Sequence, residues 1–98
     1  MQAQSKAIVL SAFDKKGNTD STGKKWPSQR CYDIAFIGDR GSSTDTVKFN
    51  TDDERNDQII ADLDKVQKTS QPVILTGEFN KFKDGPWRFR PQQVGKAA

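Results

Sequence analysis

The chain has 98 residues, 33% of them hydrophobic and 30% charged, with a net charge of +3. That length suits one domain and is too short for two independent cores, while two Trp, one Tyr and six Phe argue against a disordered chain. With no His and one cysteine, Cys31, the chain by itself has neither a Cys/His zinc site, nor a Ser-His-Asp or Cys-His catalytic centre, nor an internal disulfide. The expectation is therefore a protein without enzymatic activity, metal or cofactor. No apolar run is long enough to span a membrane and the N-terminus lacks the apolar centre of a signal peptide, which predicts a cytoplasmic protein without membrane contact.

Charge is spread unevenly. Residues 1–50 hold eight Lys/Arg against five Asp, residues 51–69 three against six acids, and residues 70–98 five against two. If the acidic middle forms one element on its own side of the fold, the remaining surface is strongly basic and suits a polyanion.

In chain order, residues 6–13 are β-branched and apolar and predict a first strand, buried on at least one face. Residues 14–25 carry four Lys, Gly17 and Gly23 but no apolar side chain, and predict a mobile basic loop. Residues 26–37 alternate, with Tyr32, Ile34 and Phe36 on one face, and predict a second strand. Turn formers at 38–43 then lead into a third strand at 44–50, antiparallel to the second. Thr51 and Glu54 have the spacing of a capping box. A helix over 52–68 should follow, with Ile59, Ile60, Leu63 and Val66 as its apolar stripe. Pro72 ends it, and residues 73–82 predict a fourth strand bent at Gly77. After the turn at 83–86, residues 87–91 alternate Trp87 and Phe89 with Arg88 and Arg90 and predict a fifth strand. Residues 92–98 read as a loose tail, giving a single domain over 1–98 with an ordered core at about 6–91. Phe36, Phe49, Phe79 and Phe89 alternate with polar partners and are expected in the core.

Three strands, a helix and two strands are the order of the five-stranded Greek-key barrel called the oligonucleotide/oligosaccharide-binding (OB) fold, so the expected class is all-β with one helix, β-β-β-α-β-β. Residues 73–94, with Leu75-Thr76-Gly77-Glu78-Phe79, the turn Lys83-Asp84-Gly85 and Trp87-Arg88-Phe89, resemble the last hairpin of such barrels. On that pattern the chain resembles the small single-stranded-DNA-binding proteins of bacteriophages and mobile elements. The resemblance implies a protein that coats single-stranded DNA during replication or recombination with little sequence preference, and that pairs as a homodimer. The chain ends Gly95-Lys96-Ala97-Ala98, unlike the acidic tail of the bacterial housekeeping proteins.

Single-strand binders need cations along the phosphate path and flat side chains for the bases. OB folds place both on strands two and three and in the loops after strands one and four. The cations expected there are Lys15, Lys16, Lys24, Lys25, Arg30, Lys48, Lys81, Lys83, Arg88 and Arg90, and the aromatics are Trp26, Tyr32, Phe82 and Trp87. Trp26 and Trp87 each adjoin a Pro at a strand edge, where a large ring is seldom wholly buried. Tyr32 is in phase with Ile34 and Phe36, which favours the core unless the strand bulges. The acids Asp52, Asp53 and Glu54 are explained by the helix start without a metal. RNA binding, or a protein-interaction module whose exposed aromatics form an interface, are the alternative readings.

Overall fold

The computed structural model describes residues 2–39, 41–81 and 87–96, with Lys81 and Trp87 described in their backbone alone. Strand β1 (Gln2–Lys15) leads to a small ribbon of β2 (Asn18–Thr19) and β3 (Lys25–Trp26). A long hairpin follows, β4 (Gln29–Gly38) and β5 (Gly41–Asn50). A 3-10 turn (Glu54–Asn56) and helix α1 (Asp57–Thr69) then precede β6 (Val73–Lys81) and β7 (Trp87–Lys96). The protein is thus mostly β with one helix. Its large sheet has the order β5-β4-β1-β6-β7, with every neighbouring pair antiparallel.

Strand β1 is the centre of this order because it is long enough to serve two partners. Its first half pairs with β6, and Lys6–Lys15 pair with β4. One face is apolar: Ala7, Val9, Tyr32, Ile34, Val47, Phe49, Val73, Leu75 and Phe89 are buried together with Ile59 and Leu63 of α1. Ile60 and Val66 complete the expected stripe from half-buried positions. At the two ends of the order, β5 and β7 are not paired to each other, so the ladder leaves the sheet open rather than closing it as a barrel. The sheet nevertheless curls enough for side chains to meet across the seam. Phe36 of β4 packs edge-on against Phe89 of β7 with ring centroids 5.5 Å apart, and the Arg90 guanidinium lies 5.0 Å from the Phe49 ring.

Two irregularities decide which residues face outward. Between Val9 and Ser11 the register with β4 shifts by one, leaving Leu10 as the extra residue of a bulge. Between Thr76 and Gly77 the register with β7 shifts as well. A Cβ at Gly77 would collide with the Arg90 carbonyl and the Pro91 backbone, so this bend requires glycine.

Three local expectations are corrected. The capping box does not form, because the Thr51 amide and hydroxyl both donate to the Ser28 carbonyl, at 3.0 and 3.2 Å. Asp53 caps the 3-10 turn instead, accepting from the Arg55 amide, and the α-helix proper starts at Asp57 rather than at residue 52. Residues 92–96 are not a tail, since they extend β7 along Val73–Thr76. Buried Pro91 does not interrupt them because it stands opposite Gly77, at the register shift, where the ladder is already irregular. Finally, the basic segment 14–25 is a built hairpin, not a mobile loop.

Candidate functional site

The hairpin is assembled around Asp20. One carboxylate oxygen accepts from the Thr22 hydroxyl (2.6 Å), the Thr22 amide (2.9 Å) and the Lys24 amide (3.0 Å), while the Asp20 amide donates to the Lys24 carbonyl. The Thr22 hydroxyl chiefly, opposed by a smaller desolvation, and then the two amides and the Trp26 indole hold this carboxyl below its ordinary value of 3.8. At the hairpin base the Gly17 amide donates to Ser28 Oγ at 2.9 Å. Gly17 lies so close to the Trp26–Ser28 backbone that any Cβ there would strike it. The fold therefore sets where Trp26 stands.

Trp26 is 52% exposed, with Lys24 Nζ 4.3 Å from the centre of its ring, a cation–π contact. It lines a cleft of about 340 Å3 with Lys15, Lys16, Asn18, Pro27 and Gln29. Lys25 is exposed too, on the other side of the two-residue strand. Five of the expected residues are thus brought together on one hairpin and the strand that enters it.

The outer face of the sheet continues from this cleft. Alternation in register with the buried face places Lys15 and Gln29, then Phe13, Cys31 and Lys48, then Ser11, Asp33 and Thr46, in successive rows across β1, β4 and β5. Phe13 is 44% exposed and Leu10, in the bulge, 50%; with Trp26 they are the large hydrophobics left exposed among the described residues. Phe13 is not among the residues that the sequence pattern singles out, because in an unbroken strand it shares the phase of Ala7 and Val9. The extra residue at Leu10 rotates it outward and turns Ala12 onto the core in its place. A strand whose apolar residues continue past the length a small core can cover is the available signal.

At the far edge, Lys48, Arg88 and Arg90 line a second groove between β5 and β7 with Asp45, Thr46 and Asn80. Arg88 and Lys48 are exposed, whereas Arg90 is partly committed, packed on Phe49 and donating to Asn56 Oδ1 at 3.4 Å. Phe82 and Lys83 lie outside the described residues. So do the side chains of Lys81 and Trp87, whose backbones pair with each other at the end of the β6–β7 hairpin.

Two candidates are corrected. Tyr32 is wholly buried, with its hydroxyl 2.7 Å from Asp64 Oδ1 and 3.1 Å from the Ile60 carbonyl, so no base reaches its ring. Burial first, and the Asp64 carboxylate next, push its phenol above its ordinary value. Arg30 lies on the same inner face and donates to Asp14 at 3.0 Å and, through Nε and Nη2, to Asp64 at 3.1 Å. Burial works against its charge, but the bonds to Asp14, Tyr32 and Asp64 outweigh it and hold the guanidinium above its ordinary value. A cation with two carboxylate partners is spent on anchoring the helix to the sheet rather than offered to a phosphate.

Among the described residues, no helix is long and apolar enough to cross a membrane and no group of three or more His, Cys, Asp or Glu is placed to hold a metal ion. Neither a family model, nor a curated protein, nor a solved structure matches this chain.

Proposed function

We propose that this chain is a non-enzymatic single-stranded-DNA-binding protein, an OB-type barrel whose ladder is left open between β5 and β7 and whose two edges are joined by side chains. The observation that carries this reading is the run of exposed ring and cation from Trp26, with Lys24 over one face, through the cleft of Lys15 and Lys16 to Phe13 and Lys48. Rings accept bases of any identity, and lysines neutralise phosphates without reading sequence. The order β5-β4-β1-β6-β7 supports the same reading, on which β4 and β5 would correspond to OB strands two and three and the β2–β3 hairpin to the loop after strand one. DNA replication or recombination in a cytoplasm, phage-derived or otherwise, is the setting such an activity fits.

The test is a titration of tryptophan fluorescence with a mixed-sequence single strand and with the matching duplex, at two salt concentrations. Quenching by the single strand, weaker quenching by the duplex, and a fall in affinity with salt are expected. Replacing Lys15, Lys16, Lys24 and Lys25 by Ala should flatten the salt slope by about 0.7 for each phosphate that is no longer neutralised. The second reading is a protein partner, favoured by Leu10, whose exposed aliphatic side chain offers no stacking plane. Binding to such a partner would change little with salt.

A further inference from the structure

In the middle of the outer face stands a carboxylate. Asp33 of β4 lies between Ser11 of β1 and Thr46 of β5 in one cross-strand row, and both neighbours donate to it: Thr46 Oγ1 to Oδ1 at 2.7 Å and Ser11 Oγ to Oδ2 at 2.9 Å. Those two bonds, Thr46 first, outweigh a smaller desolvation and hold the carboxyl below its ordinary value, so it is charged at neutral pH. Each hydroxyl has spent its one hydrogen on Asp33 and keeps only lone pairs. The carboxylate itself retains about two of its roughly four acceptor positions. The row Ser11–Asp33–Thr46 therefore offers acceptors and no donor.

We infer that Asp33 makes this interface select the bases that carry an exocyclic amino group, cytosine, adenine and guanine, over thymine. The inference rests on the single-strand reading above. A fixed negative charge on a face rimmed by Lys6, Lys15 and Lys48 weakens phosphate binding, so what it contributes to a bound strand is directed at the bases. Phe13 is its diagonal neighbour one row away, within the reach of a stacked ring. A base lying on Phe13 turns its edge toward the Ser11–Asp33–Thr46 row. Cytosine N4 and adenine N6 donate to a carboxylate there. Thymine presents one N3–H between two carbonyl oxygens, and both carbonyls face acceptors.

The experiment compares oligo-dC and oligo-dT of equal length at one salt concentration and neutral pH, for the unaltered protein and for Asp33→Asn. Oligo-dT is the more flexible strand, so the informative quantity is the dC/dT affinity ratio of each protein. The ratio for the unaltered protein should exceed that for Asp33→Asn by about tenfold, because asparagine supplies an amide donor to the thymine carbonyls. A second arm needs no variant: replacing cytosine by 2-pyrimidinone, which lacks the amino group, should cost the unaltered protein about the same tenfold. Equal ratios, or full affinity for the 2-pyrimidinone strand, overturn the base selection while leaving single-strand binding intact. Failure of every oligonucleotide to bind overturns both.

Discussion

Two pairs of cation and ring, one under the large sheet and one on the β2–β3 ribbon, are built from the same kinds of side chain but meet different surroundings. On the inner face, Arg30 lies 5.7 Å from the ring of Tyr32, and both converge on Asp64 of the helix. On the outer side, Lys24 lies 4.3 Å from the ring of Trp26 with no carboxylate bonded to its ammonium among the described hydrogen bonds and ion pairs. Cation over ring is common to both, and the third partner separates them. Asp64 and Asp14 engage all three nitrogens of the Arg30 guanidinium and the helix covers the ring of Tyr32, whereas Trp26 stays half exposed. A basic-aromatic pair in a sequence is thus left accessible only where no acid on a covering element claims it.

That contrast can be broken first where it is strongest. Leu63→Asp places an unpaired charge under the sheet and should cost roughly 4 kcal/mol or more, read by chemical denaturation; unchanged stability would mean that α1 does not cover the inner face. Next come the outer rings. Phe13→Ala and Trp26→Ala should each weaken single-strand binding by about 1–3 kcal/mol while thermal unfolding moves little, because neither ring belongs to the core cluster. The reverse outcome, lower stability with retained affinity, would place those rings in the fold rather than the interface. Smaller still is Tyr32→Phe, which removes the bonds to Asp64 and the Ile60 carbonyl. It should lower stability by about 1 kcal/mol and leave affinity unaltered.

The Asp20 carboxyl titrates below 3.8 in the folded hairpin, so its ionised form favours that hairpin. Its contribution is complete above 3.8 and disappears as the pH falls through the lower folded value. In a Trp87→Phe background, Trp26 fluorescence should hold steady down to about pH 4 and change below it. Asp20→Asn should remove that acid-dependent change. A Trp26 signal that titrates identically in both proteins would detach the ring from Asp20.

Much of this is legible in the residues because it is local. Alternation along 29–37 and the apolar spacing of Ile59, Leu63 and Val66 show in the sequence which sides are apolar, since the periods of strand and helix translate spacing into faces. Gly77 signals its bend, and Trp26 and the four lysines of the hairpin signal an exposed basic end. Thr51 misleads about the helix start because the partner that claims its hydroxyl, Ser28, lies 23 residues away in sequence. Arg30 and Tyr32 mislead for the same reason, their acceptor Asp64 being on an element whose docking no local pattern specifies.

Residue type and short-range spacing alone were enough for the order of the five long strands and the helix and for the single apolar stripe of that helix, but not for the β2–β3 ribbon. Tertiary structure alone decided that Phe13 faces outward, that Arg30 is committed, that Asp33 is held between two hydroxyls and that the ladder stays open between β5 and β7. Each of these depends on register. One extra residue at Leu10 exchanges Phe13 for Ala12 on the core face, and a side chain's partners across strands are set only when the strands are paired.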